Sequence, residues 1–266
     1  MKNKKSIYSI IAILFAIGFY VYDHFAWGEN FVANDIPELS ESISYLPSST
    51  TGQIVTHPFY SLSYHEKYEQ AEWVAYSLTS DQISNTKFKR PYFEKDRSVK
   101  TKSAHYKNYK NSGYDKGHLC PAGDRKFSKE AHDGTFLMSN VSPQEHKFNA
   151  GVWNRLEQKT RFWATKYKGI YVVTGGILEP NLKTIGTEKV AVPKQFYKII
   201  LDYTQPEVKA IAFLIPHKES TKALYSFVTS IDAIEKRTQI DFFPELPDEI
   251  EDSLEKSSSY KQWSFR

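Results

Sequence analysis

Four apolar segments constrain the fold of this chain more than any other feature of its sequence. They are rich in β-branched and aromatic residues and have the length of strands: 73–78, 169–174, 196–201 and 208–215. Turns are predicted at 175–176 and 204–206, and a capping sequence at 229–232 predicts a helix through about Thr238. Because strands occur in neighbouring pairs and helices irregularly, we expect an α+β fold with a mostly antiparallel central sheet flanked by helices.

The chain has 266 residues and a single cysteine, Cys120. One cysteine excludes an intramolecular disulfide framework and any zinc site made of several cysteines. His118 and Cys120 could offer two zinc ligands, but two more soft ligands would be needed, so a zinc site is disfavoured. Stability must therefore come from packing.

The first 27 residues are predicted to lie outside the fold. Lys2, Lys4 and Lys5 precede an uncharged apolar run at 6–22, a pattern typical of an export signal. As a helix this run would span roughly 26 Å, so a cleaved signal peptide and an uncleaved membrane anchor both stay open, the anchor being slightly favoured. We expect an extracytoplasmic protein, secreted or membrane-anchored, with a polar linker at 28–53 and a domain at 54–266.

Charge is distributed unevenly around a net value of +4. Residues 86–129 contain 13 Lys or Arg and 4 Asp or Glu, whereas residues 232–256 contain 3 and 9. A basic block is usually a solvated face, with phosphate binding as the alternative. A long surface loop is predicted at 87–111, within the basic block.

The sequence Asp-Lys-Gly-His at 115–118 brings a carboxylate, a cation and an imidazole into four positions. In an extended segment, Lys116 and His118 project from one face and Asp115 from the other. A neutral imidazole beside a phosphate-attracting cation is suited to deprotonating a water that attacks a phosphodiester. Taken alone, however, these residues are more often a surface loop with an incidental histidine.

A second group of polar residues begins at Asn149 and has helical spacing, with positions 149, 153, 157 and 161 on one slowly drifting stripe. On such a helix Asn149 and Glu157 lie about 12 Å apart, so Glu157 would reach a metal's waters more easily than the metal. An amide oxygen completed by water and phosphate suits Mg²⁺. By spacing alone, Glu157 and Arg161 are more simply an i,i+4 surface pair.

Three blocks occur in a fixed order: Asp115-Lys116-Gly117-His118-Leu119 with Pro121, Ala122 and Asp124; Ser139-Asn140-Val141-Ser142-Pro143-Gln144; and Asn149 with Gly151, Trp153, Leu156 and Glu157. Together they resemble the DNA/RNA non-specific endonuclease family, which has the ββα-metal (His-Me finger) active site. The likeness covers roughly residues 54–252.

The resemblance implies a metal-dependent endonuclease that hydrolyses DNA and RNA without base specificity and leaves 5′-phosphate ends. It assigns His118 as general base, Asn149 as direct ligand of one divalent ion, and Glu157 as a catalytic residue acting through the metal's water. The ion would be Mg²⁺, with Mn²⁺ as a substitute. Binding to the phosphate backbone should weaken as salt rises.

The resemblance also implies four substrate-binding residues: Lys116, Asn140, Arg161 and Arg90. Asn140 would help to order the site, and Arg90 matches the family position only loosely. Lys116 departs from the family, which more often has arginine there, and lysine loses the bidentate fork. Cys120 is a milder departure, since it replaces a small residue.

Two other classes of protein stay open. The first is a nucleic-acid-binding protein that keeps the fold and cuts poorly, because of Lys116. The second is an unrelated extracytoplasmic binding module with a chance motif. The sequence leaves the oligomeric state open, and a membrane would be a partner only through an uncleaved N-terminal segment.

Overall fold

A computed structural model describes residues 45–204 and 208–265 of the chain. They all belong to one unit, Leu39–Arg266. The predicted signal or anchor at 1–27 lies outside the described residues and stays a prediction, as do the first part of the predicted linker and most of the turn at 204–206. Across the described ranges, no helix has the length and apolar character needed to cross a membrane.

Within those ranges the architecture is built on a seven-stranded sheet whose neighbouring strands are all antiparallel. In spatial order the strands are β1 (Gln53–His57), β2 (Tyr60–His65), β3 (Gln70–Thr79), β6 (Gly169–Gly176), β9 (Gln195–Asp202), β10 (Lys209–Pro216) and β11 (Val228–Thr229). The four predicted strands lie within β3, β6, β9 and β10, apart from their outermost residues. The predicted α+β class with an antiparallel sheet is confirmed.

Both faces of the sheet are buried. Along β3, Tyr76 belongs to one core and Trp73 to the other, because successive side chains of a strand point to opposite faces. The helices are α1 (Lys129–Gly134), α2 (Asn154–Lys166), α3 (Ile231–Thr238) and α4 (Asp248–Lys256). Helix α2 contributes to the first core, whereas α3 and α4 pack against the second. The predicted helix ending at Thr238 is α3, whose N-cap Ser230 accepts a hydrogen bond from the Ala233 amide.

The glycines at 175 and 176 do not form the predicted turn, because both lie inside β6. A Cβ atom at Gly175 would come within 2.2 Å of the Glu72 carbonyl oxygen, and one at Gly176 within 2.4 Å of Pro193 Cγ. The close approach of Glu72 and Pro193, rather than a turn, explains why glycine occupies these two positions.

Residues 45–53, which the sequence assigns to the linker, pack against the sheet. Trp73 Nε1 donates to the Ser48 carbonyl oxygen at 2.8 Å, and Thr50 Oγ1 donates to Glu72 Oε2 at 2.5 Å. The rings of Tyr45 and Tyr171 lie 5.1 Å apart. The packed chain therefore includes residues before the predicted boundary at 54.

A smaller substructure lies beside the main sheet. Strands β4 (Asp115–His118) and β5 (Val141–Gln144) pair antiparallel, with His118 opposite Val141. The chain then passes through an α-helical turn, His146–Phe148, and a π-helical turn, Asn149–Trp153, into α2. We call β4, β5 and residues 146–166 the finger. Two-residue strands β7 (Thr184–Ile185) and β8 (Val190–Ala191) form a further pair.

Candidate active site

Strand β4 places Lys116 and His118 on the same face, as its extended conformation predicts. Both contact the buried ring of Phe93: the His118 ring centroid lies 5.4 Å from that of Phe93, and Lys116 Nζ lies 5.4 Å from it. The Arg90 guanidinium lies over the same ring at 5.3 Å. The structure therefore brings two cations beside His118, including Arg90, whose match in sequence was loose.

His118 lies in apolar surroundings. The Phe136 ring meets it edge-on at 4.9 Å, and among the described residues its buried Nε2 has no hydrogen-bond partner. Burial, followed by the charges of Arg90 and His132, lowers the pKa of His118 to about 3. The imidazole is therefore neutral at physiological pH, which is the form that can accept a proton.

The opposite face of β4 presents Asp115 to the start of the helical segment. Asp115 Oδ2 accepts a hydrogen bond from Asn149 Nδ2 at 3.0 Å and lies 2.9 Å from His146 Nδ1. Because the amide nitrogen of Asn149 is engaged, the oxygen of the same amide faces away from Asp115 and can act as an acceptor or ligand. Asn149 is half-buried.

The predicted unbroken helical stripe from 149 to 161 is wrong at its beginning. Residues Asn149–Trp153 form a π-helical turn in which Gly151 has non-helical torsion angles, φ −98° and ψ −108°. Trp153 consequently faces the core and is fully buried. Such π turns inside helices are frequent at functional sites.

Glu157 is half-buried on α2, and its surroundings combine charges of both signs. Burial has the largest influence and raises the pKa of Glu157 to about 7; Lys198 and Arg161 oppose this rise, and Asp124 adds to it. Lys198 is itself fully buried, with Nζ 4.9 Å from the Trp153 ring centroid and no hydrogen-bond partner in the described part of the chain. Sequence reasoning did not single out Lys198.

Arg161 pairs with Asp124 rather than with Glu157. Its Nη1 lies 2.6 Å from Oδ1 of Asp124, which is fully buried and also accepts a hydrogen bond from the Tyr76 hydroxyl at 2.9 Å. A Cβ atom at Gly123 would lie 2.9 Å from Arg161 Nη1, so glycine permits this approach. Arg161 also lines a surface groove together with Lys126.

Asn140 is fully buried and its side-chain amide is occupied by the backbone. Its Oδ1 accepts from the Cys120 amide at 2.8 Å, and its Nδ2 donates to the carbonyl oxygens of Cys120 and Thr135, both at 2.9 Å. With no exposed atom it cannot contact substrate directly, so it fits the expected ordering role. It fastens the segment after His118 to the start of β5. Burial also raises the pKa of Cys120 to about 12, so its thiol stays protonated.

Gln144 is a further polar residue of the finger that sequence reasoning did not assign. Its side chain is fully buried over Gly117, where a Cβ atom would lie 2.2 Å from Gln144 Cδ. Neither atom of its amide group has a hydrogen-bond partner within 45–204 and 208–265. Its position at the end of the second sequence block was the signal by which the sequence could have identified it.

The basic loop at 87–111 is irregular apart from a 3₁₀-helical turn at Tyr106–Tyr109, and it is fastened at several points. The buried Asp96 carboxylate accepts a hydrogen bond from Ser139 Oγ at 2.6 Å and lies 2.8 Å from His57 Nε2. Glu188 Oε1 accepts a hydrogen bond from Lys95 Nζ at 2.8 Å, and Glu188 Oε2 accepts one from the His105 amide at 2.6 Å. These contacts hold the segment that carries Arg90 and Phe93 in place.

The finger fits a hydrated divalent cation. Asn149 offers an amide oxygen, Asp115 and Glu157 offer carboxylates, and the buried amide of Gln144 lacks a partner among the described residues. Oxygen ligands with water in the remaining positions are what hard divalent cations prefer. Unsatisfied buried polar groups also indicate an ion or water that the protein atoms do not replace.

Comparison with known proteins identifies the class that this fold and site define. Residues 42–249 match the family model described as DNA/RNA non-specific endonuclease. The chain therefore belongs to the DNA/RNA non-specific endonuclease family, whose members are phosphodiester hydrolases that depend on divalent metals. The resemblance read from the three sequence blocks is confirmed.

Individual relatives agree with this assignment. The chain is 35% identical over 202 residues to the mitochondrial nuclease EXOG of Danio rerio, covering 70% of this chain and 59% of that protein. It is 30% identical over 209 residues to the mitochondrial endonuclease G of Homo sapiens, covering 73% of this chain and 70% of that protein. The crystal structure of an EndoG/EndoGI complex aligns with a TM-score of 0.71 and 26% identity over 79% of this chain and 93% of that one.

The predicted extracytoplasmic location is wrong by the same comparison. Both relatives are named as mitochondrial nucleases. The lysines and the apolar run at 6–22 predict export, whereas the relatives are mitochondrial.

Proposed function

We propose that this protein is a metal-dependent endonuclease that hydrolyses DNA and RNA without base specificity and leaves 5′-phosphate ends. The observation that carries the proposal is a neutral His118 beside Lys116 and Arg90, on a strand whose other face meets Asn149 through Asp115. The finger thus combines a proton acceptor, the cation Lys116 and a hard-cation site, and Arg90 of the basic loop lies beside it. The predicted domain at 54–266, with the packed residues before it, would carry the activity.

In the proposed reaction, His118 accepts a proton from the water that attacks the phosphorus atom. The new P–O bond forms as the P–O3′ bond breaks, the departing 3′ oxygen takes up a proton, and His118 returns its proton to solvent. The 5′-phosphate end follows from breaking the bond to the 3′ oxygen. An imidazole whose pKa lies below neutrality is unprotonated over the physiological pH range, which is the form that can accept a proton.

Asn149 would hold the ion directly and Glu157 through a water molecule, with Mg²⁺ as the expected ion and Mn²⁺ as a substitute. When bound, such an ion stabilises the charge that develops on the phosphate and the departing oxygen. The raised pKa of Glu157 leaves it poised between its two protonation states near neutrality. A nearby cation favours the ionised form, in which Glu157 accepts hydrogen bonds from water.

Lys116, Arg90 and Arg161 would bind phosphate groups. Lys116 and Arg90 lie against the Phe93 ring beside His118, and Arg161 lies at a groove lined also by Lys126. Contacts of this kind recognise the backbone, which all nucleic acids share, and this explains the proposed lack of base specificity. Asn140 acts indirectly, by holding the chain that follows His118.

The proposal is tested by incubating the purified full-length chain with supercoiled plasmid and with RNA, in Mg²⁺ and in a chelator. We expect cleavage of both substrates in Mg²⁺ alone, and 5′-phosphate at the new ends. His118→Ala should lower the rate by about 10²–10⁴-fold, the usual contribution of a general base. Asn149→Ala should also abolish most activity.

The matched control is His65→Ala, which removes a histidine whose Nε2 contacts Thr51 rather than any finger residue. It should leave the cleavage rate unchanged. Binding of nucleic acid without cleavage would instead support the binding-protein alternative. Cleavage that survives both finger substitutions would show that the site residues are assigned wrongly.

A further inference from the structure

Five carboxylates converge where α3, α4 and the loop between them meet. Asp232 and Glu235 lie on α3, Asp241 lies in the loop, and Glu251 and Glu255 lie on α4. Oxygen atoms of Asp232, Glu235 and Glu255 all lie within 4.8 Å of one another, and so do those of Asp241, Glu251 and Glu255. We call these five residues the acidic cluster; Glu255 belongs to both triads.

Glu255 is the buried member of the cluster, with only 9% of its surface exposed. Its Oε1 atom is buried and, among the described residues, has no hydrogen-bond partner; the same is true of Glu251 Oε1. A buried carboxylate oxygen without a partner is costly, so such atoms usually have a ligand or water. The Glu255 carboxyl lies among the other carboxylates of the cluster and shares a hydrogen bond with that of Glu235, while its Oε1 atom stays without a partner among the described residues.

The basic residues of this segment do not neutralise the cluster at contact distance. Lys256 binds the exposed Asp252 at 2.7 Å, Arg237 lies 3.7 Å from Glu179, and Lys236 is exposed. Burial and the surrounding carboxylates raise the pKa of Glu251 to about 7, and that of Glu255 well above its usual range. The acidic cluster is thus short of positive charge in the part of the chain that the structure describes.

We propose that the acidic cluster binds a divalent cation of the calcium type, with Glu255, which belongs to both triads, as its buried ligand. Calcium takes six to eight oxygen ligands at about 2.3–2.6 Å, so oxygens around one ion lie at most about 5 Å apart. The 4.8 Å limit within each triad meets this condition. Exposed Asp232 and Asp241 leave room for water to complete the shell.

The chemistry of the ligands favours calcium over other metals. Every donor is a carboxylate oxygen, whereas zinc and copper prefer histidine nitrogen or cysteine sulfur. Magnesium demands octahedral geometry at about 2.0–2.1 Å and keeps several waters, so a cage of several carboxylates suits the larger ion better.

A bound cation would join segments that are distant in sequence. The Phe242 amide donates to Glu235 Oε1 at 2.8 Å, which links the loop to α3. The Asp241 amide donates to Ser48 Oγ at 2.8 Å, and the Ser48 amide donates to the Asp241 carbonyl oxygen at 2.9 Å. The cation would therefore stabilise α3, α4 and, through Ser48, the packed N-terminal segment.

The test is a calorimetric titration of the full-length Asn149→Ala chain with CaCl₂, so that the proposed catalytic ligand is absent. We expect one site and a rise in Tm on adding Ca²⁺. In this background, Glu255→Gln should weaken Ca²⁺ binding at least about tenfold, because ligand charge sets the affinity of such sites, and should remove the Tm rise.

Glu249→Gln is the matched control, because Glu249 is exposed on the same helix, loses the same charge and lies outside both triads. It should keep Ca²⁺ binding and the Tm rise. Asp232→Asn, which changes an exposed ligand, should also weaken Ca²⁺ binding. This second variant tests the proposal if Glu255→Gln fails to fold. No binding at Ca²⁺ up to about 10 mM, above the range of weak calcium modules, would overturn the proposal. Equal loss in the Glu249 control would overturn it as well.

Discussion

The finger and the acidic cluster both bury titratable groups, yet burial moves their pKa values in opposite directions. It lowers the pKa of His118 and raises that of Glu255, because in each case it disfavours the charged form. Their neighbours also differ. Around His118 lie Arg90 and Lys116, whereas around Glu255 lie other carboxylates. Burial supplies the perturbation in both regions, and the neighbouring charges would suit an anionic ligand in one and a cation in the other.

The largest effect should come from removing a cation at the edge of the finger. Arg161→Ala leaves the buried Asp124 carboxylate with the Tyr76 hydroxyl but without its ion pair. Breaking a buried ion pair on one side costs about 3–5 kcal/mol, so we expect the free energy of unfolding to fall by that amount. Chemical denaturation measures it. Lys166→Ala, which removes an exposed cation from the same helix, should change stability by less than about 0.5 kcal/mol. Equal stability of the two variants would show that the Asp124 pair contributes little.

Acid should destabilise the folded protein through His118. The pKa of His118 is about 3 in the folded protein and 6.5 when unperturbed, so the unfolded chain binds the proton more readily below pH 6.5. The stability that this difference provides is complete above pH 6.5 and is lost as pH falls towards 3, by at most about 1.4 kcal/mol per pH unit. We expect a wild-type loss, relative to His118→Gln, of up to about 2 kcal/mol at pH 5. Parallel denaturation curves for the two proteins between pH 8 and 5 would contradict this.

Base should destabilise the acidic cluster when no cation is present. The folded pKa of Glu255 lies above the ordinary value of 4.5, so the folded protein holds the proton more tightly. This contribution is complete below pH 4.5 and is lost as pH rises towards the folded pKa. In a chelator, wild type should therefore lose stability towards alkaline pH relative to Glu255→Gln. Added Ca²⁺ should abolish the difference in slope between the two proteins. A difference that persists in Ca²⁺ would show that the titration of Glu255 is independent of cation binding.

The smallest effect is expected at Lys116. Its Nζ lies over the rings of Phe93 and Tyr109, and an arginine there would stack on the same rings while offering a bidentate fork to phosphate. We expect Lys116→Arg to raise kcat/KM by a few-fold and Lys116→Gln to lower it, as measured by cleavage of a short duplex at low salt. A lower rate for Lys116→Arg would show that the aromatic contacts are fitted to lysine.

Much of this architecture could be predicted from local pattern. The predicted strands, α3 and the shared face of Lys116 and His118 follow from alternation, capping residues and a contiguous motif. Predictions failed where a residue is required by a contact with a segment that is distant in sequence. Gly175 and Gly176 were read as a turn, yet they are glycines because Glu72 and Pro193 approach them from other segments. The π turn after Asn149 was also missed, because α-helical spacing was assumed throughout.

By itself the sequence determined the fold class and the family, because these depend on patterns within short stretches of chain. Only the tertiary structure decided which charges meet. It brought Arg90 to His118, Asp124 to Arg161, and Asp232 to Glu255, residues separated by many positions. Such contacts depend on how the sheet, helices and loops pack, and packing also sets the burial that lowers the pKa of His118 and raises that of Glu255.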